Sequence, residues 1–403
     1  MRHDLRVMTP QALLARAASH REEMTDLTRR LTAIPTENPP GTGYEPCIAA
    51  IAETLERLGL EPRRVEDCLF ASYGSGTPVV YFHGHYDVVP AQDRGQFEPT
   101  LQSGRLYGRG TSDMKGGLAA MIFALRALKD LAAPLDGRVT LCIVPDEETG
   151  GARGSRRLAE LGLLGADGVA MFTAEPTSGT IWNAKRGAIT LRITIRGKHA
   201  HVGLQHQGVN AFEHMLLAAS ALGELKREVE RRETAFGIAP AEARRSILLM
   251  GGRVEGGTGF NAVPSECSFT VDRRINPEED LETEKRRLLT IIERLRSEGM
   301  RIEHEVLQEA PPAGVGADHP VARALADAVE AVTGRAPSVS MCPGLLETRF
   351  YAQAGVPALA YGPGLLEISH GPNECVSIDA LVSSCAIYAL AAARILAPGG
   401  TTL

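Results

Sequence analysis

The hydrophobic positions in the first part of the chain alternate between short apolar runs and longer helical repeats. Residues 78–82, 139–144 and 169–174 are apolar and rich in β-branched or aromatic side chains, which predicts buried strands. Between the first two runs, leucine and isoleucine recur at helical spacing from 118 to 128. Strands that alternate with helices are typical of an α/β fold, with a mostly parallel sheet and helices on both faces.

Helices and one more strand are predicted on either side of these elements. A Thr-Pro pair predicts the start of one long helix over 9–31, and a second helix over 48–58 ends before a glycine. Near the other end, the pattern predicts a helix over 320–334, a strand over 357–361 and a final helix from about 378. We expect these segments to complete the α/β domain.

The pattern changes after residue 186. ITLRITIRG at 189–197 alternates apolar and polar residues, as a half-exposed strand of an antiparallel sheet does. Further strands are predicted near 246–250, 266–273 and 301–307, with helices starting at about Asn210 and at an Asn276-Pro277 cap. Because 403 residues exceed one ordinary core, two domains are expected. We predict a smaller α+β domain at 187–307, inserted into a discontinuous domain of 1–186 and 308–403.

Composition and charge exclude several classes of protein. A net charge of −6 without a basic stripe argues against nucleic acid as a partner. The sequence pattern also predicts no signal peptide and no membrane span, because the apolar runs are too short. Seven cysteines without a C-x-x-C pair suit a reduced compartment, so we expect a cytoplasmic protein. Any metal would need oxygen and nitrogen ligands.

Histidines and carboxylates lie in the loops, and most of them follow predicted strands. In open α/β sheets ligands gather at the carboxyl edge of the strands, where these side chains would meet. Adjacent carboxylates at such an edge repel each other unless a cation or a shared proton neutralises them, although a solvated acidic loop is the simpler alternative. A tight turn at 149–151 would let two consecutive glutamates face one site. The candidates are His85, Asp87, Asp113, Glu147, Glu148, Glu175 and His370.

The types of side chain in this set indicate a metal. Imidazole and carboxylate ligands without a thiolate suit zinc, cobalt or manganese in a hydrolytic site. Two histidines and three carboxylates are too many for one open catalytic ion, and they suit two ions that share a bridging carboxylate. The sequence therefore predicts two metal ions per chain.

Five ordered motifs resemble those of the di-zinc aminoacylase family, which includes acetylornithine deacetylase, succinyl-diaminopimelate desuccinylase and glutamate carboxypeptidase. These motifs are HGHYDVVP, GRGTSDMKGG, PDEETGG, AEPT and SHGPNE, and the resemblance spans nearly the whole chain. By motif position, the resemblance implies that Asp113 bridges two Zn²⁺ ions. It implies one ion site completed by His85 and Glu175, another completed by Glu148 and His370, Glu147 as general base and Asp87 as the carboxylate that orients His85.

The inserted region is similar to the lid of the same family. RGKHAHVGLQHQGVNA matches the lid motif, whose histidine falls on His201, with His199 and His206 close by. The resemblance implies that His201 approaches the substrate carbonyl, often from the partner subunit of a homodimer. NAVP and DRR match the substrate-binding asparagine and arginine, giving Asn261 and Arg274.

A final match lies in ETRF at 347–350. Arg349 occupies the position of a family arginine, whereas Glu347 stands where relatives often carry aspartate. For Arg274 and Arg349 the alternative is ordinary ion pairing at the surface.

The resemblance implies an amidohydrolase that removes an acyl group from a small N-acylated amino acid or related amine. A dipeptidase or carboxypeptidase of the same family is the alternative among enzymes. A catalytically silent metal-binding protein is the alternative of another class, since a fold does not determine function. The glutamate at 147 favours an enzyme, and GRGTSDMKGG matches neither nucleotide-binding glycine pattern.

Overall fold

The computed structural model describes residues 8–398 and divides the chain into two compact units. The first unit comprises the chain up to Asn183, Val315–Ser340 and the chain from Phe350 onward. The second comprises Ala184–Gly314 and Met341–Arg349. These boundaries differ by a few residues from the predicted 187–307, and no sequence pattern indicated that 341–349 belongs with the second unit.

The helices and strands follow in chain order. The helices are α1 Pro10–Ser19, α2 Arg21–Thr32, α3 Tyr44–Arg57, α4 Gly116–Asp130, α5 Ser155–Glu160, α6 Ala211–Val229, α7 Leu281–Ser297, α8 Pro320–Thr333, α9 Thr348–Gln353 and α10 Ile378–Ile395. The strands are β1 Arg63–Val65, β2 Cys68–Gly74, β3 Val79–His85, β4 Thr100–Gln102, β5 Arg105–Tyr107, β6 Arg138–Val144, β7 Gly168–Thr173, β8 Thr180–Lys185, β9 Gly187–Arg196, β10 Ala200–His201, β11 Ile247–Gly256, β12 Ala262–Val263, β13 Glu266–Ile275, β14 Arg301–Ala310, β15 Ala313–Gly314, β16 Ser338–Cys342, β17 Ala358–Ala360 and β18 Cys375–Ser377.

A large sheet crosses the first unit in the order β1-β2-β6-β3-β7-β17-β8. The four central strands β6, β3, β7 and β17 run parallel to one another. The flanking pairs β2–β6 and β17–β8 are antiparallel. The predicted α/β fold is confirmed, with a parallel centre and antiparallel edges.

Helices cover both faces of this sheet. Successive side chains of a strand point to opposite faces, and in β3 the residues Val80 and Phe82 contribute to the larger apolar core. Val79 and Tyr81 contribute to the smaller core on the other face. Because β3 is buried along its whole length, its carboxyl end is held rigidly, and the strand ends at His85.

Helix α10 passes through the larger core. Its 18 residues are long and apolar enough to cross a membrane by length and composition, but 72% of that window is buried inside the protein. It packs against α1, α4 and α8. We therefore assign α10 to the hydrophobic core.

The second unit contains a four-stranded antiparallel sheet in the order β11-β13-β9-β14. The alternation predicted for β9 is present: Ile189, Leu191, Ile193 and Ile195 are buried, and the residues between them are partly exposed. The buried face packs with α6 and α7 in a separate apolar core. The second unit therefore has the α+β architecture that was predicted for the smaller domain.

Two predicted helix boundaries are wrong. The helix expected over 9–31 is interrupted at His20, where φ/ψ leave the helical region and the ring is held 2.8 Å from Asp130. The helix expected from Asn276 begins at Leu281 and is capped by Asp280. Asn276 does not cap it, because its side chain accepts a hydrogen bond from Arg186 instead.

Candidate metal centre

His85 is the last residue of β3 and is 1% exposed. Its Nδ1 lies 3.0 Å from the backbone oxygen of Asp87. A carbonyl only accepts hydrogen bonds, so Nδ1 donates, and in the neutral form of the ring Nε2 on the other side is unprotonated. A hydrogen bond that fixes the tautomer in this way is the usual support of a metal-binding imidazole.

Asp113 lies between the two histidines of the set. Its Oδ1 is 3.4 Å from Nε2 of His85, and its Oδ2 is 3.2 Å from Nε2 of His370. Glu148 approaches the same nitrogen of His370, at 3.4 Å from Oε1. One carboxylate therefore faces both imidazoles with different oxygens, which is the arrangement that a bridging ligand requires.

Three buried ligand atoms at this place have no hydrogen-bond partner. They are Nε2 of His85, Oδ1 of Asp113 and Oε1 of Glu148. Ligand atoms of these three residues all lie within 4.8 Å of one another. Because buried polar atoms are normally hydrogen-bonded, such a group calls for an explanation. A bound cation would satisfy all three atoms at once, so the residues present fit a metal centre.

Glu147 and Glu148 are brought side by side by a tight turn. Asp146 has a left-handed φ of 70°, Glu147–Thr149 form one turn of 3-10 helix, and the glycines at 150–151 also have positive φ. The turn expected from the glycine pair is thus present. Asp87 holds it, because Oδ1 accepts the N–H of Glu147 and Oδ2 accepts the N–H of Glu148, both at 3.2 Å.

The ionisable groups of the cluster shift one another's pKa values. Burial raises the pKa of Asp113, but the imidazoles of His370 and His85 lower it by more, so the net shift is downward. The carboxylates of Asp113 and Glu148 raise the pKa of His370 to about 10. Burial raises the pKa of Glu148 above its usual value. A buried excess of carboxylates of this kind is stabilised by cations.

Glu175 lies near the cluster, at the end of the next strand. It follows β7, is 6% exposed, and its negative charge helps to raise the pKa of His85. The structure therefore gathers all seven predicted residues of the metal centre and its immediate support in the first unit. Their assignment as ligands and base remains a prediction.

The sequence reasoning missed Asn38, which supports the same loops. Its Nδ2 lies 2.9 Å from Asp87 Oδ2, from Asp146 Oδ1 and from Thr149 Oγ1. Asn38 opens the NPPGTG segment, so a polar residue in that glycine- and proline-rich stretch was the available signal. The pair formed by Arg109 and Glu374 was also missed, although both lie in recognised motifs.

The remaining candidates belong to the second unit. His201 is exposed in the short strand β10, where it pairs with Ala262, and its Nδ1 accepts the N–H of Gly203 at 3.2 Å. Asn261 is beside it in space, since its backbone oxygen accepts the N–H of Val202 at 2.9 Å. His201 and Asn261 therefore occupy one corner of the second unit.

Arginines gather with a buried lysine elsewhere in the second unit. Arg274 pairs with Asp272 at 2.9 Å, and Arg349 is 6% exposed and donates to the backbone oxygen of Leu346. Burial lowers the pKa of Lys185 well below its usual value, and the charges of Arg349 and Arg274 lower it further. Two guanidinium groups beside a buried amine can receive an anionic group. Lys185 was not among the predicted residues.

Two sequence comparisons relate this chain to known proteins. Residues 81–394 match the family model described as peptidase family M20/M25/M40. A succinyl-diaminopimelate desuccinylase from Nitrosospira multiformis is 30% identical over 362 residues, which cover 85% of this chain and 91% of that protein.

Two solved structures illustrate the shared fold. The aminopeptidase PepT from Bacillus cereus is 22% identical, with a TM-score of 0.74 over 93% of this chain and 98% of its own. The YXEP protein from Bacillus subtilis, described as a dinuclear metal-binding peptidase, is 18% identical, with a TM-score of 0.69 over 94% of this chain and 99% of its own. At these identities the two structures support the fold.

Proposed function

Since the chain belongs to the peptidase family M20/M25/M40, we propose that it removes the acyl group from a small N-acylated amino acid or related amine that carries a carboxylate. The family assignment makes the protein a metal-binding hydrolase of amide bonds. The relative at 30% identity acts as a desuccinylase, which favours deacylation over cleavage of a peptide.

The position of Asp113 carries the proposal. Its two oxygens face His85 and His370 separately, which supports two metal ions that share this carboxylate. Glu175 would complete the ligands on the side of His85, and Glu148 those on the side of His370. Zinc suits this set of imidazoles and carboxylates, with cobalt or manganese as possible substitutes.

Each group of the proposed site would have a separate role in hydrolysis. Bound zinc would polarise the amide carbonyl and lower the pKa of a water molecule. Glu147 would take the proton of that water and pass it to the leaving amine, as a general base that then acts as an acid. Asp87 would hold the imidazole of His85 and the backbone of Glu147 in place, and His201 would donate a hydrogen bond to the oxyanion.

The second unit would recognise the substrate. Arg274 and Arg349 have the chemistry to bind a carboxylate with charge-assisted hydrogen bonds, and the buried amine of Lys185 lies in the same cluster. Asn261, next to His201, would contact the acyl or amino acid part. A carboxylate on the substrate is therefore part of the proposal.

A homodimer formed through the second unit is part of the same proposal. Strand β11 is at an edge of its sheet, with Leu249 52% exposed, and α6 beside it exposes Phe212 and Leu216. An open strand edge next to exposed apolar side chains is typical of a surface that pairs with another chain. A second copy would let His201 act on the partner's substrate. All seven cysteines are buried thiols that form no disulfide, which supports the expected location in the cytoplasm.

A hydrolysis screen of the zinc- or cobalt-loaded protein tests the proposal. The substrates are N-succinyl, N-acetyl, N-formyl and N-carbamoyl amino acids together with dipeptides. We expect an acylated, carboxylate-bearing amine to be cleaved with the highest kcat/KM. Preferred cleavage of dipeptides would make the protein a peptidase, and binding of metal without any hydrolysis would identify a catalytically silent relative.

A further inference from the structure

Two motifs contain charged residues that the proposed chemistry does not use. Arg109 comes four residues before Asp113, and Glu374 comes four residues after His370. Both side chains are 1% exposed, and a guanidinium nitrogen of Arg109 lies 2.5 Å from a carboxylate oxygen of Glu374. A buried ion pair is costly unless its remaining hydrogen-bonding positions are filled. The other contacts of the pair therefore indicate what it does.

Glu374 holds the backbone that presents Asp113. Its Oε1 accepts the N–H of Ser112 and the N–H of Asp113, each at 3.0 Å. Its Oε2 is the atom that pairs with Arg109. The carboxylate thus fixes the peptide group between Ser112 and Asp113, and Asp113 is the residue that faces both imidazoles.

Arg109 holds the loop that presents His370. Its Nη2 donates to the backbone oxygen of His370 at 3.1 Å, and its Nη1 lies 3.3 Å from that of Gly371. His370 has a φ of 63°, a left-handed conformation that is uncommon for residues other than glycine. Such a backbone persists when its surroundings fix it. Gln92 contributes, since it donates to the same oxygen of His370 and accepts from Arg109.

We propose that the Arg109–Glu374 pair is a positioning device, which sets Asp113 and His370 at the separation that a shared metal ion requires. One half of the pair holds the backbone of Asp113, the other half holds the backbone of His370, and the ion pair couples the two loops. The inference rests on the proposed metal centre. It differs from ordinary stabilisation because the loss of the pair must weaken metal binding in protein that is still folded.

Zinc titration of the wild-type and variant proteins against a competing chelator tests the proposal. In Glu374→Gln the new NH₂ group must face either the guanidinium or the N–H groups of Ser112 and Asp113, which are all donors. In Arg109→Lys a single ammonium replaces a fork that contacts the Glu374 carboxylate and the backbone oxygens of His370 and Gly371. We expect each change to weaken zinc binding by about 10–100-fold, the usual effect of losing a partner that orients a ligand. The double variant should lose no more zinc affinity than the single variant that binds zinc more weakly, because both changes remove the same coupling.

Asp130→Asn is the matched control. Asp130 is a largely buried carboxylate that pairs with Arg126 at 2.6 Å and His20 at 2.8 Å. It ends α4, about 21 Å along the helix from its first residue. We expect a lower melting temperature with wild-type zinc affinity. An equal loss of zinc affinity in this control would overturn the proposal, since any destabilisation of the unit would then be sufficient.

The remaining outcomes separate the inference from its premise. If the wild-type protein binds no zinc, the proposed function fails. If the wild-type protein binds zinc and folded Glu374→Gln binds it equally well, only the positioning role fails. The same holds if the losses of zinc affinity in the two single variants add in the double variant. Should Glu374→Gln not fold, Arg109→Lys decides alone by the same comparison.

Discussion

Asp87→Asn tests how strongly the metal centre depends on the carboxylate behind His85. Asp87 is fully buried, and its polar neighbours all donate. Oδ1 faces the N–H of Glu147 and Nδ1 of His85 at 3.2 and 3.4 Å. Oδ2 faces the N–H of Glu148 and Nδ2 of Asn38 at 3.2 and 2.9 Å. An asparagine must therefore place its NH₂ group against donors, whichever way the amide is turned.

The contacts give the expected size of the effect. At least one buried N–H group is left without an acceptor, at a cost of about 1–3 kcal/mol. With about 1.4 kcal/mol for each factor of ten, this cost corresponds to about 5–150-fold in an equilibrium constant. We expect the loss in zinc affinity and in kcat/KM because either orientation of the new amide leaves the N–H of Glu147 or of Glu148 without its acceptor, which loosens the turn that carries both glutamates.

The assay is zinc titration with a competing chelator, together with turnover of the best substrate at saturating zinc. Asp280→Asn is the control, because asparagine caps a helix about as well as aspartate, and Asp280 accepts the N–H of Thr283 at the start of α7. Wild-type zinc affinity and turnover in a folded Asp87→Asn protein would refute the reasoning, because a buried amide facing only donors would then carry no penalty.

Three further predictions concern the metals, the base and the dimer. Metal analysis after loading with excess zinc should give two ions per chain, and a limit of one ion would contradict the bridging role of Asp113. Glu147→Gln should retain zinc but lose about 10²–10⁴ in kcat, the usual contribution of a general base, and near-normal turnover would place the base elsewhere. Mixed His201→Ala and Glu147→Gln proteins, each inactive alone, should recover activity as heterodimers, and no recovery after confirmed subunit exchange would confine His201 to its own chain.

The sequence predicts the sheet and the edge where the site forms because both depend on local patterns. The apolar runs before His85, Glu147 and Glu175 are long enough to identify buried strands without knowledge of their partners. Parallel strands then place their carboxyl ends on one edge of the sheet. The residues are therefore expected in the same region, but the pattern gives no distances between their atoms.

The support of the site depends on contacts that no local pattern contains. Arg109 and Glu374 are 265 residues apart in sequence, and Asn38 reaches a turn more than a hundred residues further on. The break at His20 coincides with a contact to Asp130, which lies 110 residues further on and is therefore absent from the local pattern. Burial and pairing of this kind depend on the tertiary fold, so sequence position alone does not reveal them.

The two histidines of the metal centre differ in their access to solvent. The side chain of His85 is 1% exposed, at the end of a strand buried on both faces, whereas that of His370 is 50% exposed. Exchange of a ligand requires water or a chelator to reach the ion, so the two ions should leave at different rates. Chelation would then proceed in two phases, with the ion held by His370 released first and the ion held by His85 retained in a half-loaded protein.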